Sequence, residues 1–153
     1  MSNPKLEQAI NLLIDVNREQ PDLGNMQEVF ARIERCWSYE TSYYDGLKNR
    51  LMYLELTKLD PAYYQCATTT ALLHELYGGR VRQGEADGRR HYWLKLNGVD
   101  VDITRRQFES GTVITKIKEI SANELITDSW MEERYSNLRN RYFELDKLDA
   151  IDK

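Results

Sequence analysis

Apolar residues recur with a helical period near the start of the chain. Leu6, Ala9, Ile10, Leu13 and Ile14 fall three and four residues apart. This spacing predicts an amphipathic helix, with Asn3 as its cap and Pro4 in its first turn. Gln20-Pro21-Asp22-Leu23-Gly24 breaks the pattern. Asn25 opens a second helix whose stripe is Met26, Val29, Phe30, Ile33 and Trp37. Ser38 to Gly46 is polar and aromatic, without a period. Leu47 to Leu59 carries a blurred helical pattern, which Asp60-Pro61 ends. Cys66 to Tyr77 reads as a helix with Ala67, Thr70, Leu73, Leu76 and Tyr77 on its buried side, stopped by Gly78-Gly79.

The period then changes from helical to alternating. Arg80 to Gln83 reads as a short strand and Asp87-Gly88 as a turn. Arg90 to Leu96 and Val99 to Thr104 alternate, and Asn97-Gly98 between them is a strong signal for a two-residue hairpin. A further strand is expected at Val113 to Ile117. Ser129-Trp130-Met131-Glu132 resembles a capping box. Behind it Met131, Tyr135, Leu138, Tyr142, Leu145 and Leu148 mark a long last helix. Helices, then a strand meander, then a helix predict an α+β fold, and 153 residues suit a single domain.

The hairpin places chemistry. A two-residue turn pairs Leu96 with Val99, Lys95 with Asp100, Leu94 with Val101 and Trp93 with Asp102. Because side chains alternate, Tyr92, Leu94, Leu96, Val99, Val101 and Ile103 share the core face. His91, Trp93, Lys95, Asp100, Asp102 and Thr104 share the other. His91 and Asp102 become diagonal neighbours, about 7–8 Å apart at the backbone. A carboxylate there can accept a hydrogen bond from the imidazole and fix its tautomer. Asp100 lies opposite Lys95 and fits that role less well. Cys66 sits where a loop becomes a helix, and the unpaired N–H groups of a helix start favour a thiolate. Each residue alone has a bland reading: Cys66 as a small buried side chain, His91 as a strand histidine, Asp102 as a polar strand end. Together they form a Cys66–His91–Asp102 constellation for acyl transfer.

Composition narrows the classes. The formal net charge is −4, so nothing draws the whole chain to nucleic acid or an anionic membrane. No apolar run reaches membrane-spanning length. Two cysteines, Cys36 and Cys66, make no disulfide framework and no zinc motif, and two histidines with scattered carboxylates predict no metal site. No cofactor is expected. A reducing, cytoplasmic setting follows from the cysteine usage and from a start without a signal pattern. Arg80, Arg82, Arg89, Arg90, Arg105 and Arg106 gather around the strands, a solvated surface that would also suit an anionic ligand.

Five runs carry a resemblance: 37–43 (Trp37-Ser38-Tyr39-Glu40-Thr41-Ser42-Tyr43), 61–68 (ending Gln65-Cys66-Ala67-Thr68), Gly78-Gly79, His91-Tyr92-Trp93, and 102–108 (Asp102-Ile103-Thr104-Arg105-Arg106-Gln107-Phe108). In this order they resemble the YunG-like family of small bacterial proteins, which is largely uncharacterised. The likeness runs from Asn25 to the last helix, so residues 1–24 read as an added N-terminal helical extension and 25–153 as the core. Tyr64 stands where that family usually has glycine. More loosely, a cysteine on a helix, a histidine on a strand and an aspartate on the next strand resemble papain-like, transglutaminase-like and arylamine-acetyltransferase-like enzymes. These likenesses imply a papain-like scaffold, with Gln65, Glu40, Thr41, Trp93, Thr104 and Arg105 as candidate substrate-binding residues. Two functions are expected to compete: a Cys-His-Asp hydrolase or acyltransferase, and a non-catalytic module binding a small anionic ligand, a peptide or a protein partner.

Overall fold

The computed structural model describes residues 26–42, 50–58 and 60–151. The expected helix at Leu6–Ile14 lies outside them. Among the described residues, four helices run in the order α1 (Met26–Cys36), α2 (Arg50–Thr57), α3 (Cys66–Tyr77) and α4 (Ser129–Ile151). Between α3 and α4 come four strands: β1 (Arg80–Ala86), β2 (Arg89–Leu96), β3 (Val99–Val101) and β4 (Thr115–Ile120). They form one antiparallel sheet in the order β3-β2-β1-β4. The fold is α+β. No described helix is long and apolar enough to cross a membrane.

The hairpin register follows from the Asn97-Gly98 turn. Leu94 pairs with Val101, Lys95 with Asp100 and Leu96 with Val99. Asn97 and Gly98 both have positive φ, as a turn matched to the strand twist requires. Strand β1 runs to Ala86, three residues further than its alternation indicated, because the Asp87-Gly88 turn closes it onto β2. Strand β3 stops at Val101 instead of Thr104, where Asp102 turns away to bond His91. The last strand lies at Thr115–Ile120, later than the expected 113–117.

The core is built on one face of the sheet. Phe30 and Ile33 of α1, Leu72 and Leu73 of α3, Leu94 and Val101 of the sheet, and Met131 and Leu138 of α4 are all buried together. Helix α3 is buried all round from Cys66 to Leu73, more fully than a single stripe would be. Two of its threonines are bonded: the Thr68 hydroxyl donates to the Thr41 carbonyl at 2.8 Å, and Thr69 Oγ1 accepts from Trp37 Nε1 at 2.9 Å.

The opposite sheet face is covered as well, which alternation alone did not reveal. His91 and Trp93 are 0% and 5% exposed. Residues 102–114 fold back over them, bringing Phe108 to 4.9 Å from the His91 ring. Gly84, opposite His91 in β1, makes the close approach possible. A Cβ there would lie 2.4 Å from Ile114 Cγ2 and 3.2 Å from the Trp93 ring.

Two arginines tie the layers. Arg106, only 4% exposed, bonds Asp60 at 2.8 Å and Glu34 at 2.7 Å and lies over Trp37. It therefore fastens the loop before α3 to α1. Arg32 bonds Asp149 at 3.1 Å and Asp146 at 3.2 Å, joining α1 to α4.

The cap expected at Ser129 lies one residue earlier, and it is a single bond without the reciprocal bond of a capping box. Asp128 is the cap: its Oδ1 accepts from the Met131 N–H at 2.7 Å. Asp128→Ala should therefore destabilise the fold by about 1 kcal/mol, whereas Ser129→Ala should change stability by less than about half of that. Urea denaturation of the two variants checks the assignment, and a larger loss at Ser129 would contradict it.

Candidate active site

Three segments converge on His91. The first is the start of α3. Asp60 turns the chain by accepting from the Ala62 N–H at 2.8 Å, and Tyr64 follows with φ of 60°. A tyrosine in this left-handed conformation costs about 1–2 kcal/mol relative to ordinary helical backbone. So the tight turn that glycine would make easily is kept here by tyrosine. Cys66 then begins the helix with 8% of its surface exposed.

The second segment is β2, which brings His91. The third is the end of β3, which brings Asp102. His91 Nε2 bonds Asp102 Oδ2. The other carboxylate oxygen, Oδ1, accepts from the Thr104 N–H at 3.2 Å and from the Thr104 hydroxyl at 3.1 Å. Thr104 is buried and holds the acid in place. Asp100 is occupied elsewhere, accepting from Trp93 Nε1 at 3.0 Å. Trp93 in turn stacks on the His91 ring with centroids 5.7 Å apart. The imidazole is thus clamped between Trp93 and the edge of Phe108.

The electrostatics favour a charged ring. Burial is the largest influence on His91 and by itself lowers the imidazole pKa. The Asp102 charge and hydrogen bond, followed by the hydrogen-bonding and Coulombic contact of Cys66, outweigh it and push His91 up to about 10. An imidazolium has two donors. One goes to Asp102. The other, Nδ1, is buried and has no aligned hydrogen-bond partner among the described residues. Cys66 interacts with the ring without meeting full hydrogen-bond alignment.

The remaining candidates separate into distinct places. Gln65 is 0% exposed, and its amide is fully engaged: Oε1 accepts from Thr41 Oγ1 at 2.8 Å, and Nε2 donates to the Ser38 carbonyl at 2.9 Å and to the Tyr53 hydroxyl at 3.2 Å. Gln65 and Thr41 therefore staple the helix start to segment 38–41. Glu40 faces outward, bonded to Arg50 at 3.3 Å. Arg105 is exposed and donates to the Thr112 carbonyl at 2.8 Å.

Sequence reasoning passed over Gln107. Its Oε1 accepts from the Tyr64 N–H at 3.3 Å, which fixes the amide's orientation. Its Nε2 is left buried without a partner among the described residues. Only its place in the Asp102–Phe108 run signals it in the sequence; nothing local predicts that it reaches back to the Cys66 loop.

The family model described as YunG protein matches residues 25–146. The uncharacterized protein YunG of Bacillus subtilis (strain 168) is 29% identical over 117 residues, covering 76% of this chain and 90% of that protein. No solved structure matches the chain.

The raised His91 pKa makes stability depend on pH. The folded ring holds its proton more tightly than the unfolded ring. Its contribution is therefore complete below about pH 6.5 and is lost progressively as pH rises to about 10. Asp102→Asn should remove this loss and return the His91 titration, read by NMR, to neutral pH or below. An unchanged His91 titration in Asp102→Asn would refute the assignment of Asp102 as the charge partner.

Proposed function

The chain belongs to the YunG family, and we propose that it is a Cys-His-Asp hydrolase or acyltransferase that works through a thioester on Cys66. The arrangement is papain-like in its parts: a cysteine opening a helix, a histidine on a strand, an acid following the neighbouring strand. What carries the reading is the His91 ring, buried, bonded to Asp102 at one nitrogen, with its other nitrogen unpartnered among the described residues and Cys66 beside it. The family match begins at residue 25, which supports treating residues 1–24 as an addition to the core.

In the proposed reaction the Cys66 proton already rests on His91, which leaves a thiolate beside the imidazolium. The sulfur lone pair attacks an amide, ester or thioester carbonyl carbon, forming the S–C bond while the carbonyl π pair moves onto oxygen. When that pair returns, the bond to the leaving group breaks, and the imidazolium proton passes to the departing nitrogen, oxygen or sulfur. Water or an acceptor nucleophile then attacks the thioester, giving its proton to His91 and releasing Cys66. Asp102, held by Thr104, steadies the imidazolium throughout. The Nε2 donor of Gln107, without a partner among the described residues, is suited to the developing oxyanion.

Alkylation separates this enzyme from a binding module. Near neutral pH, iodoacetamide should label Cys66 at least about tenfold faster than Cys36. Cys36 is 3% exposed, and its burial pushes the thiol pKa up. His91→Gln should remove the Cys66 advantage. Equal, slow labelling of both thiols would leave only a binding scaffold.

A further inference from the structure

The site has a positively charged wall that its chemistry has not yet used. Arg89 opens β2, two residues before His91, and is half-buried. Its guanidinium carbon lies 5.5 Å from the Tyr63 ring, 5.1 Å from the Tyr64 ring and 4.8 Å from the Phe108 ring. Tyr63 and Tyr64 belong to the loop that delivers Cys66. The edge of Phe108 meets His91. Arg89 is therefore one aromatic ring away from the imidazole and on the same side as the cysteine loop.

What distinguishes it is its setting against three rings, with no carboxylate partner among the described residues. Arg32, Arg106 and Arg139 each tie elements together by bonding carboxylates, and Arg134 by donating to the Tyr39 carbonyl. Arg89 forms no ion pair or hydrogen bond with any described residue. Cation–π contact attracts the charge to the ring faces but satisfies none of the five N–H donors. A half-buried guanidinium with an empty fork is poised to bind a planar oxyanion. The surrounding ring faces carry partial negative charge and are apolar, which disfavours a dianion such as phosphate and suits a single carboxylate.

We propose that Arg89 selects substrates bearing a carboxylate, which seats on its fork against Tyr63, Tyr64 and Phe108 while the reacting carbonyl lies at Cys66. Seating the acid there fixes the substrate's orientation. The inference rests on the thioester reading for its catalytic half alone; the anion site stands on Arg89 and its rings.

Two measurements test it. In the first, the Arg89 side-chain Nε–H resonance of the full chain is titrated with N-acetylalanine and with its neutral amide. A saturable shift with the acid, absent with the amide, is expected; no shift with the acid overturns the proposal even if Cys66 proves reactive. In the second, Cys66 is alkylated by iodoacetate and by iodoacetamide. The acetate-to-amide rate ratio should fall about fivefold in Arg89→Gln, be largely kept in Arg89→Lys, and decline with added salt. A ratio unchanged in Arg89→Gln also overturns it. Slow labelling by both reagents alongside an intact N-acetylalanine shift would instead refute the thioester chemistry and leave the anion site standing.

Discussion

The bond between His91 and Asp102 is the constraint around which the rest is arranged. A charged imidazole with no exposed surface is stable only beside a fixed carboxylate. The fold supplies one by ending β3 at Val101, so that Asp102 leaves the ladder and turns inward. Thr104 spends both its backbone N–H and its hydroxyl on the second carboxylate oxygen. Trp93 and Phe108 close the ring from two directions and exclude water. Removing one member leaves another buried and unpaired, which is why these residues act as a unit.

The surrounding polar network serves that unit by fixing the helix that faces it. Gln65, Thr41 and Ser38 knit the start of α3 to the segment after α1. Asn137 Nδ2 of α4 donates to the Glu40 carbonyl at 2.9 Å and secures that segment from outside. Arg106 binds the preceding loop through Asp60. The left-handed Tyr64 is the point where this scaffold and the site meet, since its N–H is held by Gln107 and its ring lies under Arg89. Strain at such a residue persists only where the surrounding contacts over-determine it.

Much of this geometry was legible in the sequence because period-two strands and a two-residue turn leave no freedom of register. Asn97-Gly98 fixed which residues face each other, and from that His91 met Asp102 while Asp100 did not. Helix α3 was equally legible, from Cys66 to the glycine pair. What stayed hidden depends on long-range packing. Burial of the His91–Trp93 face came from a loop without periodicity, residues 102–114. Gln65 looked like a site residue because it adjoins Cys66, yet its buried amide is taken up by Thr41, Ser38 and Tyr53. Gln107 lies more than forty residues from Tyr64 in the chain, and no local pattern announces that contact. The arginines were alike as sequence; only the structure divides Arg106, neutralised by two acids, from Arg89, enclosed by rings.

The central claim is that this clamped imidazole serves the sulfur of Cys66, and covalent capture tests it most directly. Full-length protein and the Cys66→Ser, His91→Gln and Asp102→Asn variants are incubated with p-nitrophenyl acetate and followed by intact-mass spectrometry with peptide mapping. The account predicts an acetyl group on Cys66 of the wild type that forms rapidly and is discharged with time. The adduct should be absent in Cys66→Ser and formed far more slowly in the other two variants. An acetyl group that forms on Cys66 at the same rate with and without His91, or no adduct on Cys66 at all, would contradict it.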